Sequence, residues 1–116
     1  MALKNPNWCE PELLLAASLV HANGFKALDK SDPRVIRLSI LLKKANFHSV
    51  DLRLPNFRSP SSVARKTQNI ADTHPSFVKT KSHGSKGDAI ALQTFLTDPQ
   101  RADAEVKKII GQITEG

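Results

Sequence analysis

The stretch Phe57-Arg58-Ser59-Pro60-Ser61-Ser62-Val63-Ala64-Arg65-Lys66-Thr67-Gln68-Asn69-Ile70-Ala71 carries a clear helix signal. Ser59 stands where an N-cap hydroxyl accepts an amide hydrogen bond. Pro60 follows at the first helical position, where its missing N–H costs nothing. Val63, Thr67, Ile70 and Ala71 then recur on one side, with Ala64 beside them, so the spacing predicts a helix from the Ser59 cap to about Asp72.

The same device recurs on both sides of this stretch. Asp32-Pro33 opens a helix whose apolar face is Val35, Ile36, Leu38, Leu41, Leu42 and Ala45. Asp98-Pro99 opens another, with Ala102, Val106, Ile109, Ile110 and Ile113 as its stripe. An earlier helix is predicted from about Glu10 to Ala22, stopped by Asn23-Gly24, with Leu13, Leu14, Ala17, Leu19 and Val20 inward. Glu12 lies three residues after Cys9, the spacing of a capping box, with Trp8 placed to staple onto Leu13. A short helix over 88–96 would bury Ile90, Leu92, Phe95 and Leu96. Val50, Leu52 and Leu54 alternate with Ser49, Asp51 and Arg53, which suits a short strand with Phe77-Val78 as partner. The expected fold is mainly α: one domain over 1–116, a bundle of about five helices with a helix-turn-helix-like core and room for a short β-ribbon or wing.

One cysteine among 116 residues forms no internal disulfide, which fits a reducing, cytoplasmic setting. No apolar run approaches the ~18 residues of a spanning helix, so no membrane partner is expected. The formal charge of +6 is unevenly placed. Residues 1–54 carry +3, with eight Lys/Arg against five acids, and residues 88–116 carry −2, with three against five. Residues 55–87 carry +5, with six Lys/Arg against Asp72 alone. Phosphate neutralisation depends on local charge density, so the middle third is where a polyanion would bind. On the predicted helix, Ser61, Ser62, Arg65, Lys66, Gln68 and Asn69 remain for the outer surfaces, and these side chains hydrogen-bond phosphates and base edges. Arg58 and the serine hydroxyls reinforce the positive helix end. Lys79, Lys81, His83 and Lys86 follow in a Ser/Gly-rich loop placed to track a backbone.

Catalytic signals are poor. His21, His48, His74 and His83 form no H-x-x-x-H pair and have no cysteine pair near them, so neither metal nor cofactor is predicted. Neither a G-x-S-x-G elbow nor a phosphate-binding Gly-rich loop occurs. Cys9 has no histidine near it in sequence, and Glu10 and Glu12 suit the helix dipole. No residue is predicted to be catalytic, and the chain is not expected to be an enzyme.

The order of motifs resembles the N-terminal domain that precedes HNH nuclease domains in McrA-like, modification-dependent restriction endonucleases. The likeness runs from Asn5 to the last helix. It rests on N-P-N-W-C-E-P-E-L-L-L-A, on D-P-R-V-I-R-L-S-I-L-L and, most specifically, on F-R-S-P-S-S-V-A-R-K-T-Q-N-I-A-D. Phe57, Arg58, Ser59, Pro60, Val63, Lys66 and Asn69 stand at the family's motif positions. The chain departs from the pattern at Cys9, at Ser59 and at Leu92, where the family favours a cap threonine or serine, an asparagine and a tryptophan. The resemblance implies a helical DNA-recognition domain, with cleavage done by a nuclease domain or subunit elsewhere. No HNH signature is present, so nuclease activity is not implied for these residues. The predicted partner is therefore duplex DNA, plain or modified, contacted through Arg58, Ser59, Ser62, Arg65, Lys66, Gln68, Asn69, Lys79, Lys81 and Lys86. The alternative is a protein-interaction module that docks onto a nuclease or other chain through the C-terminal amphipathic helix.

Overall fold

The computed structural model describes residues 4–75 and 85–115. Among them are five α-helices: α1 (Glu10–Ala22), α2 (Pro33–Lys44), α3 (Pro60–Ala71), α4 (Lys86–Thr97) and α5 (Pro99–Glu115). A 3-10 turn, Val50–Leu52, lies between α2 and α3.

Local chemistry sets the helix starts. The Asp32 carboxylate accepts from the Arg34 amide at 2.9 Å, and the Ser59 hydroxyl accepts from the Ser62 amide at 3.2 Å. Each cap is followed by its proline. Asp98 accepts from the Arg101 amide at 3.2 Å ahead of α5. The α4 helix begins two residues earlier than its apolar pattern predicts, because Ser85 and Asp88 form a reciprocal capping box, at 3.2 and 2.9 Å. At the end of α1, Gly24 and Phe25 both adopt positive φ, 66° and 65°. The Phe25 amide closes the turn onto the Val20 carbonyl at 2.8 Å. The left-handed conformation is costly for an aromatic residue, and Phe25 offsets it by packing its ring against His21 and His74.

The α1 helix is the hub, packed against each of the other four. Ala16 and Ala17, both fully buried, let neighbouring backbones come close. Around them lie Val20, Val35, Leu42, Val63, Ile70, Leu92, Phe95 and Ala102. Thr67 ties the α1–α2 connection to α3, accepting from the Leu28 amide at 3.1 Å.

Three expectations are corrected. Ile36, Ile90 and Ile110 sit on the predicted inner faces but are 40%, 57% and 37% exposed. Each is one helical step of about 100° from a buried neighbour, and the bundle covers a narrower arc of each helix than the pattern allows. The α1 stripe is likewise displaced, with Leu15 and Ala16 inside and Leu14 and Leu19 only half-buried. The strand predicted at 50–54 is instead the 3-10 turn, and no strand occurs among the described residues. Its amides bond locally, Leu52 to the Ser49 carbonyl at 3.0 Å and Arg53 to Val50 at 3.1 Å, which leaves no free ladder. The proposed partner, Phe77-Val78, lies outside the described residues, and so do Lys79, Lys81 and His83.

Candidate nucleic-acid interface

Residues Lys4–Trp8 run across the N-terminal half of α3 and meet the start of α4. Side chains hold this segment down. The Asn5 amide group accepts from the Leu54 amide at 2.8 Å and donates to Asn56 at 3.0 Å. The Arg58 guanidinium donates to the carbonyls of Pro6 and Asn7 at 3.0 and 3.3 Å. The result is a cleft of about 950 Å³ whose walls include Lys4, Trp8, Ser62, Arg65, Lys66 and Ser85.

Beneath the cleft lies a buried ion pair. Glu12, with no solvent exposure, accepts from Arg58 Nε at 2.8 Å and Nη2 at 2.9 Å, a two-point fork. It also accepts from the Cys9 amide at 3.0 Å, the reciprocal contact of the predicted capping box, in which the Cys9 sulfur faces the Glu12 amide. His48 Nε2 stands 2.7 Å from Glu12 Oε1. The Arg58 guanidinium is sandwiched by rings, 4.6 Å from the Trp8 centroid and 4.5 Å from that of Phe57. Its own φ is 45°, a strained value held by these contacts and by Ser39, whose hydroxyl donates to the Arg58 carbonyl at 2.7 Å.

The electrostatics follow. Burial pushes the Glu12 carboxyl up, but the hydrogen bonds from Arg58 and His48 outweigh it and hold the group below its ordinary 4.5. The unfolded chain therefore takes up the Glu12 proton at higher pH than the folded chain does. The stability from this group is complete above 4.5 and is lost as pH falls through the lower folded value. A thermal-melt series should show a flat midpoint down to about pH 5 and a decline below it, shallower in Glu12→Gln. Asp32, pulled to about 2 by its Arg34 hydrogen bonds, extends the decline further into acid.

Cys9, Glu12 and His48 place ligand atoms within 4.8 Å of one another, the spacing of a small metal site. Their chemistry points elsewhere. Both Glu12 oxygens are engaged by Arg58, and the short contact to Glu12 uses His48 Nε2 as a donor, which leaves it no lone pair for a metal. Arg58 Nη2 lies 3.4 Å from that same nitrogen and would repel a cation. Burial, reinforced by the Glu12 charge, pushes the Cys9 thiol up and away from the thiolate that binds metal or attacks electrophiles. The cluster holds the Lys4–Trp8 segment to α3.

The sequence-predicted residues divide accordingly. Ser62, Arg65 and Lys66 come together in the cleft. Lys66 is partly neutralised there, with Nζ 3.2 Å from Asp88 and 5.7 Å from the Trp8 ring centroid. Arg65 is exposed. Arg58, predicted to meet phosphate, is 2% exposed and forms the cleft floor, because its guanidinium donates to Glu12 and to two carbonyls. The Ser59 hydroxyl is engaged as the α3 cap. Gln68 is exposed but bonds Asp72 at 2.8 Å, and neither it nor half-buried Asn69 lines the cleft. Lys86 is exposed at the first position of α4. Lys4, Asn5, Trp8, Glu12, His48 and Asp88 were not predicted as parts of the site. No family model, no curated protein and no solved structure matches the chain.

Proposed function

We propose that the chain is a non-catalytic DNA-binding and targeting module of a restriction-type nuclease system, with duplex DNA, plain or modified, as its ligand. It contacts DNA through α3 and the basic residues that follow. The observation that carries this is the cleft at the N-terminal half of α3. It gathers Lys4 and Arg65 for phosphate, Lys66 shared with the Asp88 carboxylate, the hydroxyls of Ser62 and Ser85 as donors, and the Trp8 ring as an apolar plane. No acid interrupts α3 from Ser59 to Ala71, so the helix adds no repulsion toward phosphate. The family resemblance carried by Phe57–Asp72 supports the same surface.

The alternative surface, the stripe of α5, is largely used within the fold. Ala102, Val106, Ile109 and Ile113 are buried, which leaves Ile110 for an outside partner.

Binding to matched plain and methylated duplexes tests the proposal. Arg65→Ala should weaken both duplexes alike, as a backbone contact does. Ser62→Ala, which removes a hydroxyl from the cleft wall, should weaken binding of both duplexes less than Arg65→Ala does. Absence of binding to either duplex at low salt refutes the proposal.

A further inference from the structure

Four of the six large apolar side chains exposed among the described residues lie on α2 and the 3-10 turn: Ile36 at 40%, Ile40 at 62%, Val50 at 74% and Leu52 at 53%. Ile36 and Ile40 are one turn apart and form a ridge along the outer face of α2. The turn is fastened to the C-terminal end of that helix by Arg53. Its guanidinium donates to the carbonyls of Lys43 at 2.8 Å, Ala45 at 2.7 Å and His48 at 2.8 Å. Arg53 thus ties the turn to the C-terminal end of α2, and neither Ile36, Ile40, Val50 nor Leu52 lines the cleft.

The surroundings are basic. Arg37, Lys43 and Lys44 are exposed on α2, which has no acid between Pro33 and Lys44. From Pro33 to Leu54, five Lys/Arg stand against Asp51 alone. Asp32, just before, is committed to Arg34 at 2.8 Å.

We propose that this face docks an acidic amphipathic helix of a partner protein. The partner's apolar stripe lies on Ile36, Ile40, Val50 and Leu52, and its carboxylates meet Arg37, Lys43 and Lys44. A helix-in-groove contact needs anchors at helical spacing, and charge complementarity at the rim selects the partner. A second copy of the chain fits poorly, because an isologous pairing of α2 with itself would set basic rim against basic rim. Nucleic acid fits poorly too, since a phosphate backbone would meet Arg37, Lys43 and Lys44 but leave the four aliphatic side chains facing water.

The test is fluorescence anisotropy on the full chain with two labelled helical peptides. Both carry Leu at i, i+3, i+4 and i+7; one has Glu and the other Lys at the remaining positions. The acidic peptide should bind at least about tenfold more tightly than the basic one. Ile40→Asp should weaken it at least about tenfold, with the thermal midpoint and duplex binding unchanged. Should Ile40→Asp lower the midpoint, Leu52→Asp on the turn must give the same loss. Equal binding of the two peptides, no binding of the acidic one, or binding indifferent to both substitutions overturns the proposal. So does Ile40-dependent binding to vesicles with about a third phosphatidylserine, or Ile40-dependent dimerisation in sedimentation.

Discussion

Glu12→Ala is expected to destabilise the fold by about 3–5 kcal/mol, a large share of what a domain this size possesses. The cost comes from what remains more than from what is lost. Arg58 is 2% exposed and enclosed by Trp8 and Phe57, so without Glu12 its charge stays buried with only two carbonyls to receive it. Arg58→Ala should cost a similar amount for the mirror reason, leaving a buried carboxylate with His48 and the Cys9 amide. The double variant should cost far less than the sum of the two, because it removes both orphaned charges. Denaturant melts of the four proteins give the coupling, and additive losses would show that the two side chains act independently.

Phe95→Ala should cost about 3–5 kcal/mol as well, by a different route. Phe95 is 1% exposed on α4, and its ring stacks on His21 of α1 at 5.1 Å. Helix α1 packs against every other helix, so a cavity at the α1–α4 contact weakens the hub. Helix α4 packs against α1, α3 and α5, which leaves little room for collapse and places the cost at the upper end of the cavity range. Chemical denaturation checks it, and a loss below about 1.5 kcal/mol would mean the site repacks. Unlike Glu12→Ala, this loss should not depend on pH across the carboxylate range.

What the sequence makes legible is what neighbouring residues decide. Asp32-Pro33, Ser59-Pro60 and Asp98-Pro99 start helices because cap and proline act within one turn. The 50–54 segment is misleading for the complementary reason. Alternation of Val50, Leu52 and Leu54 predicts a strand only where a partner strand supplies hydrogen bonds, whereas local turn bonds and the Asn5 side chain satisfy this backbone. Arg58 reads as a surface cation, since nothing in its neighbourhood announces a carboxylate 46 residues earlier. Glu12 reads as a helix-cap acid, and half of that is true: it accepts the Cys9 amide while also receiving Arg58 and His48. The contribution of Lys4, Asn5 and Trp8 to the cleft depends on how the N-terminal segment lies across α3, which no local pattern encodes.

We propose that the cleft beside α3 binds the phosphate backbone of duplex DNA, a reading open to one measurement. Its most direct test is a fluorescence titration of one duplex across a salt series, comparing the unmodified chain with Arg65→Ala. The logarithm of affinity should fall linearly with the logarithm of salt concentration, and Arg65→Ala should make the slope shallower by about 0.9, the loss of one phosphate contact. Duplex binding with the same slope in both proteins would contradict the proposal, and so would no binding at low salt.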